Sequence, residues 1–223
     1  METGNAEKSR GIRLLHWGLV LLLMVLACHW FRSGGISYPL LAAYHLVMLF
    51  LAGQFLLGDY GIDLRKGNGP VGKNVLWGVL LGAAAAAALG VIVLCLALLG
   101  VGGISVFPWL GRPGCLAQNA LYFLQQLWVP VTEEALFRCY FYTVLLGLLH
   151  HRKAAACLVS FLFALLHLVN NGIWFQFWVA FGLSLFFFWI RGKKRGNAFL
   201  LLTVAHAAYN CIQKLLFLPI GYP

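Results

Sequence analysis

The sequence predicts an all-α protein, a polytopic membrane helix bundle of about seven transmembrane helices with one further helix at the membrane interface. The composition is 62% hydrophobic and only 10% charged, whereas about a quarter of the residues in a soluble domain are charged. Several apolar runs approach or exceed the ~20 residues that a helix needs to cross a bilayer. These runs are continuous rather than alternating, which favours helices over the strands of a membrane barrel.

The N-terminal part of the chain, residues 1–114, contains three predicted spans. They cover residues 14–31, 40–57 and 74–101. The third span contains a run of alanines, and small side chains of this kind permit close contact between membrane helices. We expect these three spans to form one integral membrane domain with the remainder of the chain.

The C-terminal part, residues 115–217, begins with a less apolar segment, 115–128. Apolar side chains recur on one helical face: Leu116, Ala120, Phe123, Leu124 and Leu127. Polar side chains fall on another face: Gln118, Tyr122, Gln125 and Gln126. This pattern predicts an amphipathic helix lying at the interface. The alternative is that the segment lines a polar cavity.

Pro130 then interrupts the apolar pattern. We expect a helix to restart with Thr132 as its N-cap and with two glutamates in its first turn. This helix should end near Leu149 and form the fourth span. Three further spans are predicted over residues 154–169, 173–190 and 197–217.

The basic residues, which bring the formal net charge to +10, predict the orientation. They cluster at the ends of apolar runs, and no basic patch is interleaved with aromatic residues, so nucleic acid is not an expected partner. With the N-terminus inside, Arg32 and Arg112 would face outward. The inner segments would hold Lys8, Arg10, Arg13, Arg65, Lys66, Lys73, Arg152, Lys153, Arg191, Lys193, Lys194 and Arg195. This bias predicts an inside N-terminus and an outside C-terminus.

Two adjacent carboxylates, Glu133 and Glu134, lie within a long apolar run. The chain has only six acidic residues, and a charge buried in hydrocarbon costs at least ~2.5 kcal/mol by insertion scales. We therefore expect these two glutamates to have a function.

Three polar motifs occur inside the fourth, fifth and seventh spans. They are Glu133-Glu134-x-x-x-Arg138, Phe163-x-x-x-His167 and His206-x-x-x-Asn210. Residues four apart share a helix face, so Glu134 can pair with Arg138, and His206 and Asn210 can point the same way. The depth of each residue in the membrane can be estimated from the inner end of its span at ~1.5 Å per helical residue. By this estimate all four candidates lie between the mid-plane and the outer leaflet: Glu133, His167, His206 and Asn210. The shared depth predicts one site, more accessible from outside.

The three motifs, in this order on three helices, resemble those of CAAX prenyl endopeptidases and bacteriocin-processing or self-immunity proteins, the Abi or CPBP family of intramembrane proteases. The resemblance covers about residues 115–217. It implies that Glu133 and His167 activate a water, that His206 and Asn210 stabilise the oxyanion, and that the helices converge on a cavity within the membrane. It also implies structural support from two further residues, Glu134 and Arg138.

Zinc at Glu133, His167 and His206 is an alternative, since three protein ligands and an open position are typical of catalytic zinc. The sequence contains no H-E-x-x-H motif, and we expect a glutamate mechanism without a cofactor. His45, in the second span, is a further candidate that could reach the site or form a hydrogen bond between helices.

These observations predict an intramembrane endopeptidase that cuts a protein or peptide substrate at or near its membrane anchor. The expected location is the bacterial cytoplasmic membrane, and the estimated depth favours a substrate with a C-terminal hydrophobic tail over a prenylated one. A non-catalytic immunity or scaffold protein is the alternative. A transporter is a third interpretation, disfavoured because the halves show no internal repeat.

Overall fold

The computed structural model describes seven helices and no strand among the residues it covers. The described residues are 15–24, 26, 38–65, 69–99, 120, 123–171, 174–193 and 198–216. Within these ranges, the prediction of an all-α chain is confirmed.

The first three helices begin within three residues of the predicted spans, and the predicted end of the first span at residue 31 lies outside the described residues. Helix α1 is Leu15–Met24, α2 is Tyr38–Tyr60 and α3 is Val71–Leu98. Helix α2 begins two residues and α3 three residues earlier than the predicted spans, a difference close to the usual uncertainty of helix ends.

Helix α4 covers residues 129–149 in three consecutive parts. It begins as Val129–Glu133, widens into a π-helix over Glu134–Phe141 (the π segment) and ends as Tyr142–Leu149. The end near Leu149 is therefore confirmed, and His150 follows in the left-handed conformation with φ 53°. The sequence did not predict the π segment, a feature often found at functional sites.

The predicted start of α4 at Thr132 is wrong. Pro130 lies in the first turn of the helix instead of before it, where its missing N–H costs no hydrogen bond and its fixed φ suits the helix. The Thr132 hydroxyl therefore caps nothing and donates back to the Trp128 carbonyl at 3.0 Å. As a result, the two glutamates lie beyond the first turn, and the following π segment contains Glu134.

The remaining helices are α5, Arg152–Asn171, α6, Trp174–Lys193, and α7, Phe199–Leu216. Helices α5 and α6 pack against each other along their length, and α7 packs most extensively against α3. The His151 ring Nδ1 accepts the Ala154 N–H at 3.1 Å, which explains why α5 begins before the apolar run itself.

Four of the described helices are long and apolar enough to cross a membrane. They are Pro39–Tyr60, Val71–Leu96, Arg152–Val169 and Trp174–Lys193. Large apolar side chains on them remain exposed, for example Phe50 at 63%, Val91 at 62% and Trp178 at 62%, as expected for surfaces that face lipid. The protein is an integral membrane protein, while the count of about seven spans and the orientation remain predictions.

Two glycines bring α3 and α7 into close contact. A Cβ at Gly78 would lie 2.7 Å from Val204 Cβ, and a Cβ at Gly82 would collide with the carbonyl oxygen of Ala205. The glycines are four residues apart and thus lie on one face, as in other close membrane helix pairs. This spacing lets α3 support the helix that carries His206.

Only part of the predicted interfacial helix, 115–128, lies within the described residues. There, Leu124 and Leu127 are 51% and 68% exposed, whereas Gln126 is buried at 8%. In this portion one side chain of the predicted polar face, Gln126, is buried in the bundle, and the choice between an interfacial helix and a segment that lines a polar cavity stays a prediction. The predicted residues Leu116, Gln118 and Tyr122 lie outside the described residues.

Candidate active site

The ion pair between Glu134 and Arg138 lies fully inside the bundle. Arg138 Nη1 is 3.3 Å from Glu134 Oε1, and the two side chains are 1% and 0% exposed. Both residues belong to the π segment. The guanidinium carbon also lies 4.2 Å from the ring centre of Phe163 and 5.6 Å from that of Phe187, so ring faces add to the attraction that holds this cation.

His206 connects α7 to both glutamates of α4. Its Nδ1 lies 2.8 Å from Glu134 Oε1, and its Nε2 lies 3.5 Å from Glu133 Oε2. The rings of Phe163 and Phe187 lie 6.1 and 6.0 Å from the imidazole. One imidazole therefore has a carboxylate on each side, an arrangement that the spacing of the motifs did not predict.

The two glutamates differ in their exposure. The Glu133 side chain is 19% exposed, whereas that of Glu134 is 0% exposed and is held by Arg138 and His206. Only Glu133 can therefore reach a water or a substrate without disrupting the ion pair.

His167 is oriented by its own helix. Its Nδ1 lies 2.9 Å from the carbonyl oxygen of Phe163, and because a carbonyl only accepts, Nδ1 carries a proton. In the neutral ring, Nε2 is then the acceptor. The Phe163 and His167 ring centres are 4.4 Å apart.

Asn210 is positioned by a residue that the motifs did not contain. Its Nδ2 donates to Gln126 Oε1 at 2.8 Å, which joins α7 to the segment just before α4. Asn210 follows His206 by one helical turn, so both side chains project from the same part of α7.

The six predicted site residues thus fall into one connected group and two flanking positions. The connected group consists of Glu133, Glu134, Arg138 and His206. The flanking residues are His167 and Asn210, held by Phe163 and Gln126. The sequence pattern placed Gln126 on the polar face of segment 115–128 without predicting its contact with Asn210. It gave no indication of Phe187, since nothing in an aromatic run distinguishes one phenylalanine from its neighbours.

His45 brings α2 to the start of α4. The Thr132 hydroxyl lies 3.4 Å from the His45 carbonyl oxygen, which is a second acceptor for its hydrogen beside the Trp128 carbonyl, so it is the backbone of His45 that faces Thr132. The imidazole is 8% exposed, and its Nδ1 has no hydrogen-bond partner within the described residues.

Across the described residues, no three His, Cys, Asp or Glu side chains are arranged to hold one metal ion. Zinc at Glu133, His167 and His206 would therefore require these side chains to move. His206 Nδ1 is directed at Glu134 and His167 Nδ1 at a carbonyl, which leaves only the Nε2 atoms available as ligands.

The comparison with protein families agrees with the motifs. Residues 116–212 match the family model described as type II CAAX prenyl endopeptidase Rce1-like. Over this segment the chain is similar to the Rce1-like family. The match includes all six predicted site residues, and the resemblance predicted from the three motifs is confirmed. No significant match was found among curated proteins or solved structures.

The Rce1-like segment covers somewhat less than half of the chain and begins after α3. The helices before it nevertheless support the site, because α3 packs against α7 and α2 contacts the start of α4. The Rce1-like family is a family of proteases, and this agrees with the prediction that the protein is a hydrolase.

Proposed function

We propose that the protein is an intramembrane endopeptidase that hydrolyses a peptide bond of a membrane-anchored protein or peptide, with Glu133 as the general base. The observation that carries the proposal is the difference between the two glutamates. Glu134 is fully buried between Arg138 and His206, while Glu133 remains partly exposed beside the same imidazole. A general base must reach the water that it deprotonates.

In the proposed reaction, Glu133 takes a proton from a water whose second hydrogen is directed to His167 Nε2. The resulting hydroxide attacks the scissile carbonyl carbon, and the electron pair of the C=O bond moves to oxygen. That pair then re-forms the C=O bond as the C–N bond breaks, its electrons leave with nitrogen, and the proton held by Glu133 passes to the departing amine. Water thus supplies both the hydroxyl of the new carboxyl group and the hydrogen of the new amine.

His206 and Asn210 are proposed to stabilise the oxyanion. With Nδ1 directed at Glu134, a protonated His206 can donate from Nε2 to the developing negative charge, and the Asn210 amide is a second donor on the same helix. Hydrogen-bond donors that are already oriented in a site with little water stabilise a developing negative charge more strongly than donors in bulk solvent do. The bond from Asn210 to Gln126 orients one of these donors before substrate binds.

The test is cleavage by purified protein in liposomes that contain membrane-anchored peptides. Two substrate series, one prenylated at its C-terminal cysteine and one with a C-terminal hydrophobic helix, determine which anchor is accepted. We expect the tailed series to be cut. Glu133→Gln should reduce cleavage at least ~100-fold while preserving the unfolding transition.

Treatment with strong chelators should leave cleavage by the wild-type protein unchanged, because the proposed reaction needs no metal. Near-normal cleavage by Glu133→Gln would refute the assigned base. Substrate binding without any cleavage by the wild-type protein would instead support an immunity or scaffold role.

A further inference from the structure

A cavity of about 750 Å³ lies between the end of α4, the start of α5 and the end of α6. It is separate from the candidate active site, because its α4 residue Leu146 follows Glu133 by thirteen positions, or ~20 Å of helix. One wall is apolar and includes Leu146, Leu185 and Phe188. The proposed reaction makes no use of this cavity.

The rim of the cavity is basic. Four cationic side chains contribute to it: Arg152, Lys153, Arg191 and Lys193. The lining contains no Asp or Glu, and the sequence contains no acidic residue after Glu134. Helices α5, α6 and α7 therefore contain no carboxylate side chain that could neutralise this rim, and an anionic ligand would find four cations there.

Arg191 is the most enclosed of these cations. Its guanidinium carbon lies 4.6 Å from the ring centre of Tyr142, which keeps the side chain at the cavity. Its Nη1 is buried and has no hydrogen-bond partner within the described part of the chain. A buried guanidinium N–H without an acceptor costs free energy that an anionic oxygen would offset. Lys193 lies close by, with its Nζ 5.7 Å from the Trp189 ring centre.

We propose that this cavity binds an anionic phospholipid, with the headgroup phosphate at Arg191 and the neighbouring basic side chains, and an acyl chain along the apolar wall. The combination of a basic rim with an apolar wall fits a phosphate that carries a hydrocarbon tail, whereas a free phosphate would gain nothing from the wall. Basic pockets between membrane helices on the cytoplasmic side bind lipid headgroups in this way. The four cations also belong to the segments predicted to face the inside.

The experiment uses the full-length protein in detergent. Phosphatidylglycerol, phosphatidylcholine and inorganic phosphate are titrated separately, with the melting temperature and the lipid retained in native mass spectrometry as readouts. We expect phosphatidylglycerol to be retained and to raise the melting temperature in a saturable manner. Phosphatidylcholine and inorganic phosphate should have little effect.

Arg191→Gln should weaken the apparent affinity for phosphatidylglycerol about tenfold. Lys193→Gln, at an exposed position, should weaken it less and serves as the informative variant if Arg191→Gln does not fold. Lys73→Gln is the matched control, since it removes one positive charge outside the cavity but on the same predicted inner side of the membrane. The affinity of this variant for phosphatidylglycerol should equal that of the wild type.

Three results would overturn the proposal. Equal affinity for phosphatidylglycerol in both cavity variants and in Lys73→Gln would show that the rim does not bind the headgroup. Equal stabilisation by phosphatidylcholine would show that the anionic charge is irrelevant. Stabilisation by inorganic phosphate to the same extent would identify a free anion site in place of a lipid site.

Discussion

Glu134 Oε1 is shared by His206 Nδ1 at 2.8 Å and by Arg138 Nη1 at 3.3 Å. This one buried carboxylate oxygen therefore links α7 to the π segment. It lies beside the Arg138 guanidinium, which carries a positive charge, and the His206 imidazole, which can carry one. The neighbouring Glu133 remains available for chemistry because the ion pair with the arginine is made by Glu134. This division of roles leads to the first prediction.

Replacement of Glu134 by Ala should destabilise the protein by about 3–5 kcal/mol, because it leaves Arg138 buried without its carboxylate. Glu133→Ala should cost less, since the Glu133 side chain is partly exposed and its nearest partner atom on His206 is 3.5 Å away. Unfolding in mixed micelles with increasing SDS measures both values.

The double variant Glu134→Leu/Arg138→Met is the control for this interpretation. When both members of a buried pair become apolar, most of the lost stability should return, although cleavage should not. Equal stability of Glu134→Ala and Glu133→Ala would contradict the prediction.

His167→Asn should separate orientation of the side chain from catalysis. The Asn amide can still donate to the Phe163 carbonyl, as His167 Nδ1 does at 2.9 Å, but it offers nothing at the position of Nε2. We expect stability within ~1 kcal/mol of the wild type, which is one ordinary hydrogen bond. Cleavage should fall at least ~100-fold, and a rate close to that of the wild type would exclude Nε2 from the reaction.

Gly82→Ala should reduce cleavage although residue 82 lies outside the Rce1-like segment. The added Cβ would meet Ala205 oxygen and lie 2.8 Å from the Tyr209 nitrogen. These atoms belong to the backbone, so α7 would have to move. A displacement of ~1 Å at catalytic groups can cost ~100-fold in rate, and overpacking typically costs about 1–3 kcal/mol.

Gly53→Ala in α2 is the matched control, because nothing lies within 4 Å of its added Cβ. It should retain wild-type cleavage and should not be less stable, since Ala is the better helix former. The two variants are compared by cleavage rate and by unfolding free energy. Identical behaviour would mean that the contact between α3 and α7 does not position His206.

Gln126→Leu should lower kcat about tenfold with a smaller change in KM, because Asn210 loses the acceptor that orients its amide and misorientation acts mainly on the transition state. Gln125→Leu is the control at the neighbouring position. Steady-state kinetics on the tailed substrate provide both parameters. A larger change in KM than in kcat would instead indicate that Gln126 binds substrate.

The sequence alone determined the helical class, the ends of most helices to within a few residues, and the three motifs by which the Rce1-like family was recognised. These properties are encoded in neighbouring residues. A run of apolar side chains specifies a helix in lipid, and the i, i+4 spacing places Glu134 beside Arg138 or His206 beside Asn210 wherever the helix lies. A local exception was the start of α4, where Pro130 occupied the first turn and removed the expected role of Thr132 as a cap.

Only the tertiary structure decided which groups meet across helices. The contacts of His206 with both glutamates, of Asn210 with Gln126 and of Gly82 with Ala205 join residues far apart in the chain. Each depends on how far one helix is rotated and how closely it approaches another. Side-chain packing between helices sets both quantities, and the periodicity of a single helix contains no record of them.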